Sequence, residues 1–143
     1  MPMNAILLIA HAPLASALRA AALHVFPDAG AAIQALDVQA ADAVEDTLAS
    51  AQGALAALPT NQCVLMLTDV YGATPCNVAQ RLADGACARL LAGVNLPMLL
   101  RAVSYRHEPL QAMMRKAMDG GVQGIVPVAG PTGAGPARTA SAE

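Results

Sequence analysis

The sequence predicts an α/β fold: an open, mostly parallel sheet of four strands plus a short C-terminal edge strand, with helices on both faces. The first observation is that short apolar runs alternate with segments of helical periodicity, as in parallel sheets covered on both sides. The second is composition, since 56% of the residues are hydrophobic and 2% aromatic, so the core should consist of Ala, Leu, Val and Met. The third is length, because 143 residues suffice for one domain with its own core.

Strands and helices are expected to alternate along the chain. The strands are predicted from their apolar runs at residues 4–10, 31–38, 62–68 and 88–92, with a last short strand at 123–128. The helices are predicted at residues 14–25, 42–58, 75 onward, 98–105 and 109–118. The domain is therefore expected to span residues 1–128. Residues 129–143, rich in Gly, Pro, Ala, Ser and Thr, are expected to be a disordered tail or the stub of a linker.

Local signals predict where three of the helices begin or end. The second helix is expected to start at Asp42, which stands at a capping position. The third is expected to begin at Pro75, with Thr74 as its N-cap and Pro75 in the first helical position. The fifth is expected to stop at Gly120-Gly121, since glycine pairs terminate helices.

Charge and hydropathy exclude two classes of function. The formal net charge of −2 lacks the basic footprint that nucleic-acid binding requires. No stretch of about 18 residues is free of charged or turn residues, as a membrane-spanning helix would need. Residues 4–12 are not preceded by Lys or Arg, so they are interpreted as strand one rather than as a signal peptide.

The number and spacing of the cysteines predict that they pack in the core as free thiols. Cys63, Cys76 and Cys87 form neither a CxxC pair nor an even disulfide framework. They are therefore expected to be reduced thiols of a cytoplasmic protein. No metal site is predicted from them.

Two polar residues that follow buried strands lead to the functional prediction. His11 follows the apolar run of strand one, and Asp69 follows that of strand three. In an open parallel sheet, ligands bind beyond the carboxyl ends of the strands, where the strand order reverses. If strand one lies between strands two and three, His11 and Asp69 face each other there. The carboxylate would then fix one imidazole nitrogen and leave the other as a nucleophile, suited to phosphoryl chemistry.

The helix expected at Thr74-Pro75 directs its amino end into the same crevice. Its backbone amides and partial positive charge favour an anion, so Gly72, Ala73 and Thr74 are predicted to bind a phosphoryl group. Phosphoryl transfer needs mainly positioning and charge stabilisation, so no cofactor is expected. The alternatives are a structural hydrogen-bonding role for His11, an ordinary helix start at Thr74 and a permissive turn at Gly72.

These residues lie in segments that resemble the mannose-type IIA component of the bacterial phosphoenolpyruvate-dependent sugar phosphotransferase system. The segments are residues 7–15, 67–77 and 92–98, in the family's order and spacing, and the resemblance covers about residues 3–128. It implies that His11 is the phosphorylated histidine and that Asp69 is its hydrogen-bonding partner. It also implies that Thr74 stands near the phosphoryl group.

The resemblance implies partners and a compartment as well. The phosphoryl group would come from the small histidine-containing phosphocarrier protein and pass to a IIB histidine on a separate subunit. The protein would be a cytoplasmic phosphotransferase with a phosphohistidine intermediate, and a homodimer that exchanges its final strand. Its membrane association would be at most indirect, through a transporter complex. The chain departs from the family at Ala12, where Gly is usual, and at Pro13, which has no amide hydrogen to offer.

Three other functions remain open at this point. One is a regulatory phosphoprotein, in which the phosphorylation state of His11 controls partner binding without sugar transport. Another is the phosphocarrier subunit of a dihydroxyacetone kinase, which shares the histidine but resembles residues 72–77 less well. A flavodoxin-like small-molecule module would need an aromatic-lined pocket or a longer phosphate loop, and neither is visible in the sequence.

Overall fold

The computed structural model describes residues 3–83, 85 and 87–131. Strands and helices alternate as the sequence predicts, with a short 3₁₀ helix at Pro27–Ala32 before the second strand. The strands are β1 (Ala5–His11), β2 (Ile33–Val38), β3 (Val64–Thr68) and β4 (Ala88–Ala92). The helices are α1 (Leu14–Val25), α2 (Val44–Ala56), α3 (Thr74–Leu82), α4 (Leu96–Ser104) and α5 (Leu110–Gln123). In this part of the chain, no helix is long and apolar enough to cross a membrane.

The strands form one parallel sheet in the order β2-β1-β3-β4. β1 lies between β2 and β3, which is the condition under which His11 and Asp69 were expected to face each other. Ile9 of β1 pairs with Leu36 on one side and with Thr68 on the other. Because the chain leaves β1 first towards β2 and later returns towards β3, the strand order reverses between β1 and β3. A crevice at their carboxyl ends is therefore the expected place for a ligand.

Helices cover both faces of the sheet, as predicted. Leu8 packs into the core formed with α1, α4 and α5, whereas Leu7 and Ile9 pack into the core formed with α2 and α3. All three side chains are fully buried, and each contributes about 1.5–3 kcal/mol by leaving water. Side chains alternate along a strand, so His11, two residues after Ile9, belongs to the face covered by α2 and α3.

The two predicted helix caps, Thr74 and Asp42, are not formed, whereas α4 begins two residues before its predicted start and α5 one residue after. α3 begins at Thr74, one residue early, because Ala73 is extended and takes the N-cap position. Thr74 is therefore not the cap. α2 begins after Ala43, and the carboxylate of Asp42 accepts a hydrogen bond from the backbone N–H of Gln39 at 3.0 Å instead. Short polar side chains bond the nearest free backbone group, and for Asp42 that group lies in the preceding turn.

Gly120 and Gly121 do not terminate α5, contrary to the prediction. The helix continues to Gln123, and both glycines are buried. A Cβ atom on Gly120 would lie 2.8 Å from Cβ of Arg101, and one on Gly121 would lie 3.1 Å from Cβ of Met98. The glycines therefore allow α5 to pack closely against α4, which explains their presence inside a helix.

The last strand predicted at residues 123–128 is not formed. Gln123 ends α5, and residues 125–130 have no regular secondary structure. Ile125 and Val128 are 77% and 89% exposed. A strand needs a neighbour for its backbone groups and its apolar side chains, and the described part of this single chain places none beside the segment. Most of the predicted tail at residues 129–143 lies outside the described residues.

Cys63 and Cys87 form a disulfide, so the prediction of three reduced thiols is wrong. The two residues precede β3 and β4, whose first residues pair with each other. This parallel register places their Cα atoms 4.5 Å apart, within the range that a disulfide spans. Cys76 is free and buried in α3, in agreement with a packing role.

Candidate functional site

The carboxyl edge of the sheet brings together the two polar residues that the sequence indicates. His11 is the last residue of β1, and Asp69 directly follows β3. They are 58 positions apart, yet Nδ1 of His11 lies 2.7 Å from Oδ2 of Asp69. The same oxygen accepts a hydrogen bond from the backbone N–H of His11 at 3.0 Å. Asp69 therefore holds both the ring and the main chain of His11.

The bond at Nδ1 determines which nitrogen of His11 is free to react. A carboxylate only accepts hydrogen bonds, so Nδ1 carries the hydrogen, and Nε2 of the neutral ring keeps its lone pair. The side chain of His11 is 51% exposed, whereas that of Asp69 is 9% exposed. The arrangement thus presents a ring to visiting molecules and shields the acid that orients it, as nucleophilic catalysis requires.

Hydrogen bonds favour the ionised form of Asp69. Burial alone would raise the pKa of Asp69, but the bonds from the ring and the backbone of His11 outweigh it. The pKa of Asp69 therefore lies below its usual value of 3.8. A further bond runs from the backbone N–H of Val70 to Oδ1, at 3.0 Å. Near neutral pH, the group is a carboxylate that can stabilise positive charge on the ring.

The predicted phosphate-binding residues Gly72, Ala73 and Thr74 lie where the loop after Asp69 enters α3. Gly72 has φ +85°, in the left-handed region that favours glycine. The side-chain amide of Asn77 donates to the carbonyl of Gly72 at 3.3 Å and ties this loop to the helix. Among the described residues, no side-chain hydrogen bond caps the first turn of α3. The backbone amides of the first turn of α3, at the positive end of its helix dipole, therefore have no capping side chain as an acceptor.

The start of α1, also near His11, differs because it already holds an anion. The carboxylate of Asp37, in β2, accepts hydrogen bonds from the backbone N–H and the hydroxyl of Ser16, at 3.0 and 2.5 Å. The N–H of Ala12 donates to a carbonyl of β2 at 3.0 Å, and Pro13 has no N–H. Sequence reasoning missed Asp37 and Ser16. The signal that could have identified Asp37 is its position as an acidic residue near the carboxyl end of the strand predicted at residues 31–38.

Exposed apolar side chains flank the pair. Val70 is 55% exposed and Tyr71 is 85% exposed, both in the loop between Asp69 and α3. Leu14, at the start of α1, is 38% exposed. These three exposed residues are close to the pair in sequence, and exposed apolar surface is typical of places where a protein contacts another.

A known protein family matches most of the chain. The family model EIIA-man, described as PTS system fructose IIA component, matches residues 5–118. The matched range contains both His11 and Asp69, together with the loop that enters α3. No curated protein sequence matches the chain significantly.

Solved structures of the same type are similar to this chain. The mannose/sorbose specific IIA subunit of the phosphotransferase system from Enterococcus faecalis is 25% identical, with a TM-score of 0.77 over 91% of this chain and 98% of that one. Phosphotransferase system component EIIA from Streptococcus agalactiae is 25% identical, with a TM-score of 0.74 over 87% and 97%. The PTS IIA protein associated with the fucose utilization operon from Streptococcus pneumoniae, at 23% identity and a TM-score of 0.68 over 82% and 90%, shares the fold.

Proposed function

Since this chain belongs to the EIIA-man family of PTS IIA components, we propose that it is a phosphoryl carrier of the sugar phosphotransferase system. In this proposal, His11 accepts a phosphoryl group on Nε2 from the histidine-containing phosphocarrier protein. It then passes the group to a IIB subunit on a separate chain. Asp69 orients the ring, and Gly72, Ala73 and Thr74 surround the phosphoryl group.

The observation that carries the proposal is the contact between His11 and Asp69. As the lone pair of Nε2 forms a bond to phosphorus, the N–P bond of the donor breaks, and its electron pair returns to the donor ring. Positive charge then develops on the ring of His11. The carboxylate 2.7 Å from Nδ1 stabilises that charge, and the bond to Nδ1 keeps Nε2 directed away from Asp69.

The helix starts near His11 favour one position for the phosphoryl group. Asp37 already fills the anion position at α1, and the N–H of Ala12 is bonded within the sheet. At α3, no side chain caps the first turn, and Thr74 adds a hydroxyl there. The phosphoryl group therefore finds its donors at α3, so the absence of an amide hydrogen at Pro13 does not remove the site.

The protein acts, in this proposal, as a cytoplasmic homodimer. β4 is the outermost strand and pairs with β3 alone among the described residues. The exposed apolar segment after α5, with Ile125 and Val128, would add to this edge in a second copy of the chain. The folded unit would then be residues 1–128, and residues 129–143 would act as a tail or linker.

Phosphorylation of purified protein tests the assignment of His11. The protein is incubated with phosphoenolpyruvate, enzyme I and the phosphocarrier protein, and its intact mass is measured. One acid-labile phosphate is expected on wild type and none on His11→Ala. His24→Ala removes an exposed histidine from the end of α1 and is expected to label as wild type does. Equal labelling of His11→Ala and wild type would contradict the proposal.

A second stage separates a carrier from a regulatory phosphoprotein. Labelled protein is freed from the donor proteins and mixed with a mannose-class IIB subunit. If the protein is a carrier, the phosphate is transferred to IIB faster than it is lost by hydrolysis in buffer without IIB. Retention of the label would favour control of a partner by the phosphorylation state of His11.

A further inference from the structure

The disulfide lies at the amino ends of β3 and β4, whereas the candidate phosphoryl site lies at the carboxyl ends of the strands. Cys63 precedes β3, and Cys87 precedes β4. The N–H of Val64 donates to the carbonyl of Cys87 at 2.9 Å and joins the two strand starts beside the disulfide. Asp69 lies at the far end of β3, about 20 Å away at the rise of an extended strand. The disulfide is therefore separate from the phosphoryl site.

The two half-cystines are not equally accessible. Cys87 is exposed, whereas Cys63 is half-buried and packs against the core beneath α1, α4 and α5. A thiolate breaks a disulfide by attacking whichever sulfur it can reach, and the other sulfur leaves. Attack from solvent is therefore directed to Cys87, with Cys63 as the leaving group.

The surroundings of the disulfide favour exchange over a permanent crosslink. In the cytoplasmic location proposed above, disulfides are mostly transient, and those formed by exposed residues are the more easily reduced. Within a single chain, β4 is the outermost strand among the described residues, and its residues are only half-buried. Opening the disulfide is therefore expected to loosen the start of β4 and to leave β1, which is separated from β4 by β3, unchanged.

We propose that Cys63 and Cys87 form a reversible exchange site for a small thiol of the glutathione class. The incoming thiolate attacks Sγ of Cys87, the bond between the two cysteines breaks, and Cys63 leaves as a thiolate that takes a proton from water. Cys87 then carries a mixed disulfide. Attack by Cys63 on Cys87 restores the original bond and expels the small thiol. Attack by a second small thiolate releases the oxidised small disulfide and leaves both cysteines reduced.

Two single variants test the direction of the exchange. Cys63→Ser leaves Cys87 able to react with glutathione disulfide, and Cys87→Ser leaves Cys63. The mixed disulfide is expected to form at least about tenfold faster in Cys63→Ser, because exposure controls access to the thiol. Intact mass gives the rates, and peptide mapping identifies the modified cysteine. Equal rates, or faster modification of Cys63, would overturn the proposal.

A measurement on the wild-type protein completes the test. Oxidised protein should have one free thiol, Cys76, and should show three after treatment with reduced glutathione. Hydrogen exchange of the β4 amides should then become faster, while that of β1 should not change. A disulfide that resists reduced glutathione in the folded protein would overturn the proposal. Phosphorylation of His11 is measured in parallel, and it is expected to proceed in both redox states, so the two proposals fail independently.

Discussion

At the scale of single residues, His11 owes its orientation to one carboxylate. Oδ2 of Asp69 accepts from the ring and from the main chain of the same residue, at 2.7 and 3.0 Å. The two bonds fix the ring relative to the end of β1. Ser16 and Asp37 play the corresponding role at the start of α1, where the carboxylate satisfies a helix amide. Two nearby carboxylates thus have different tasks, because one bonds an imidazole and the other a helix start.

Asp69 also makes a contribution to stability that depends on pH. Its pKa in the folded protein lies below the usual value of 3.8, so the unfolded chain binds this proton more tightly. The contribution is complete above 3.8 and is lost as the pH falls through the lower pKa of the folded state. We expect the free energies of unfolding of wild type and of Asp69→Asn to differ most at pH values above 3.8, and the difference to shrink as the pH falls below 3.8 through the lower pKa of the folded state.

Urea unfolding at a series of pH values measures this difference. Asp119→Asn removes an exposed carboxylate from α5 and gives the baseline for the loss of one negative charge. After subtraction of that baseline, the difference in free energy of unfolding between wild type and Asp69→Asn should become smaller as the pH decreases. A difference that stays constant over the same range would mean that the bonds from His11 do not hold Asp69 ionised.

At the scale of helices and strands, the sequence predicts positions better than ends. β4 and α1 have the predicted bounds because apolar periodicity reports burial directly. Thr74 and Asp42 were both predicted as caps, and neither caps its helix. A cap depends on one hydrogen bond among several that a short polar side chain can make, and the pattern of residue types does not distinguish them.

Glycine inside helices gives a prediction with a matched control. Ala favours a helix over Gly by about 1 kcal/mol, so propensity alone predicts that Gly120→Ala stabilises the protein. A Cβ at Gly120 would, however, lie 2.8 Å from Cβ of Arg101 on α4. We expect Gly120→Ala to lower the free energy of unfolding by about 1–3 kcal/mol, because α4 and α5 must move apart. Urea unfolding of the variant and wild type measures the change.

The control is Gly53→Ala in α2. A Cβ at Gly53 would have no atom within 4 Å, and the residue is exposed. Gly53→Ala should therefore raise the free energy of unfolding by about 0.5–1 kcal/mol. If both substitutions stabilise the protein, the close packing of α5 on α4 does not explain the glycine pair.

At the scale of the whole molecule, the strand order and the location of the candidate site follow from general rules. Parallel strands joined by helices, with the order reversing beside β1, place His11 and Asp69 at one edge. The disulfide and the missing last strand were not predictable in the same way. Pairing of Cys63 with Cys87 depends on the register of β3 and β4, and a strand after α5 depends on a neighbour that one chain does not supply.

The proposed dimer leads to a prediction about the end of the chain. The apolar side chains after α5 are exposed, and no strand of residues 3–83, 85 and 87–131 pairs with the outer side of β4, so each would satisfy the other in a second copy. We expect deletion of residues 125–143 to convert the dimer into a monomer, measured by sedimentation or light scattering. Deletion of residues 132–143 keeps the apolar segment and should leave the dimer intact. A dimer that survives the longer deletion would show that the two copies associate through another surface.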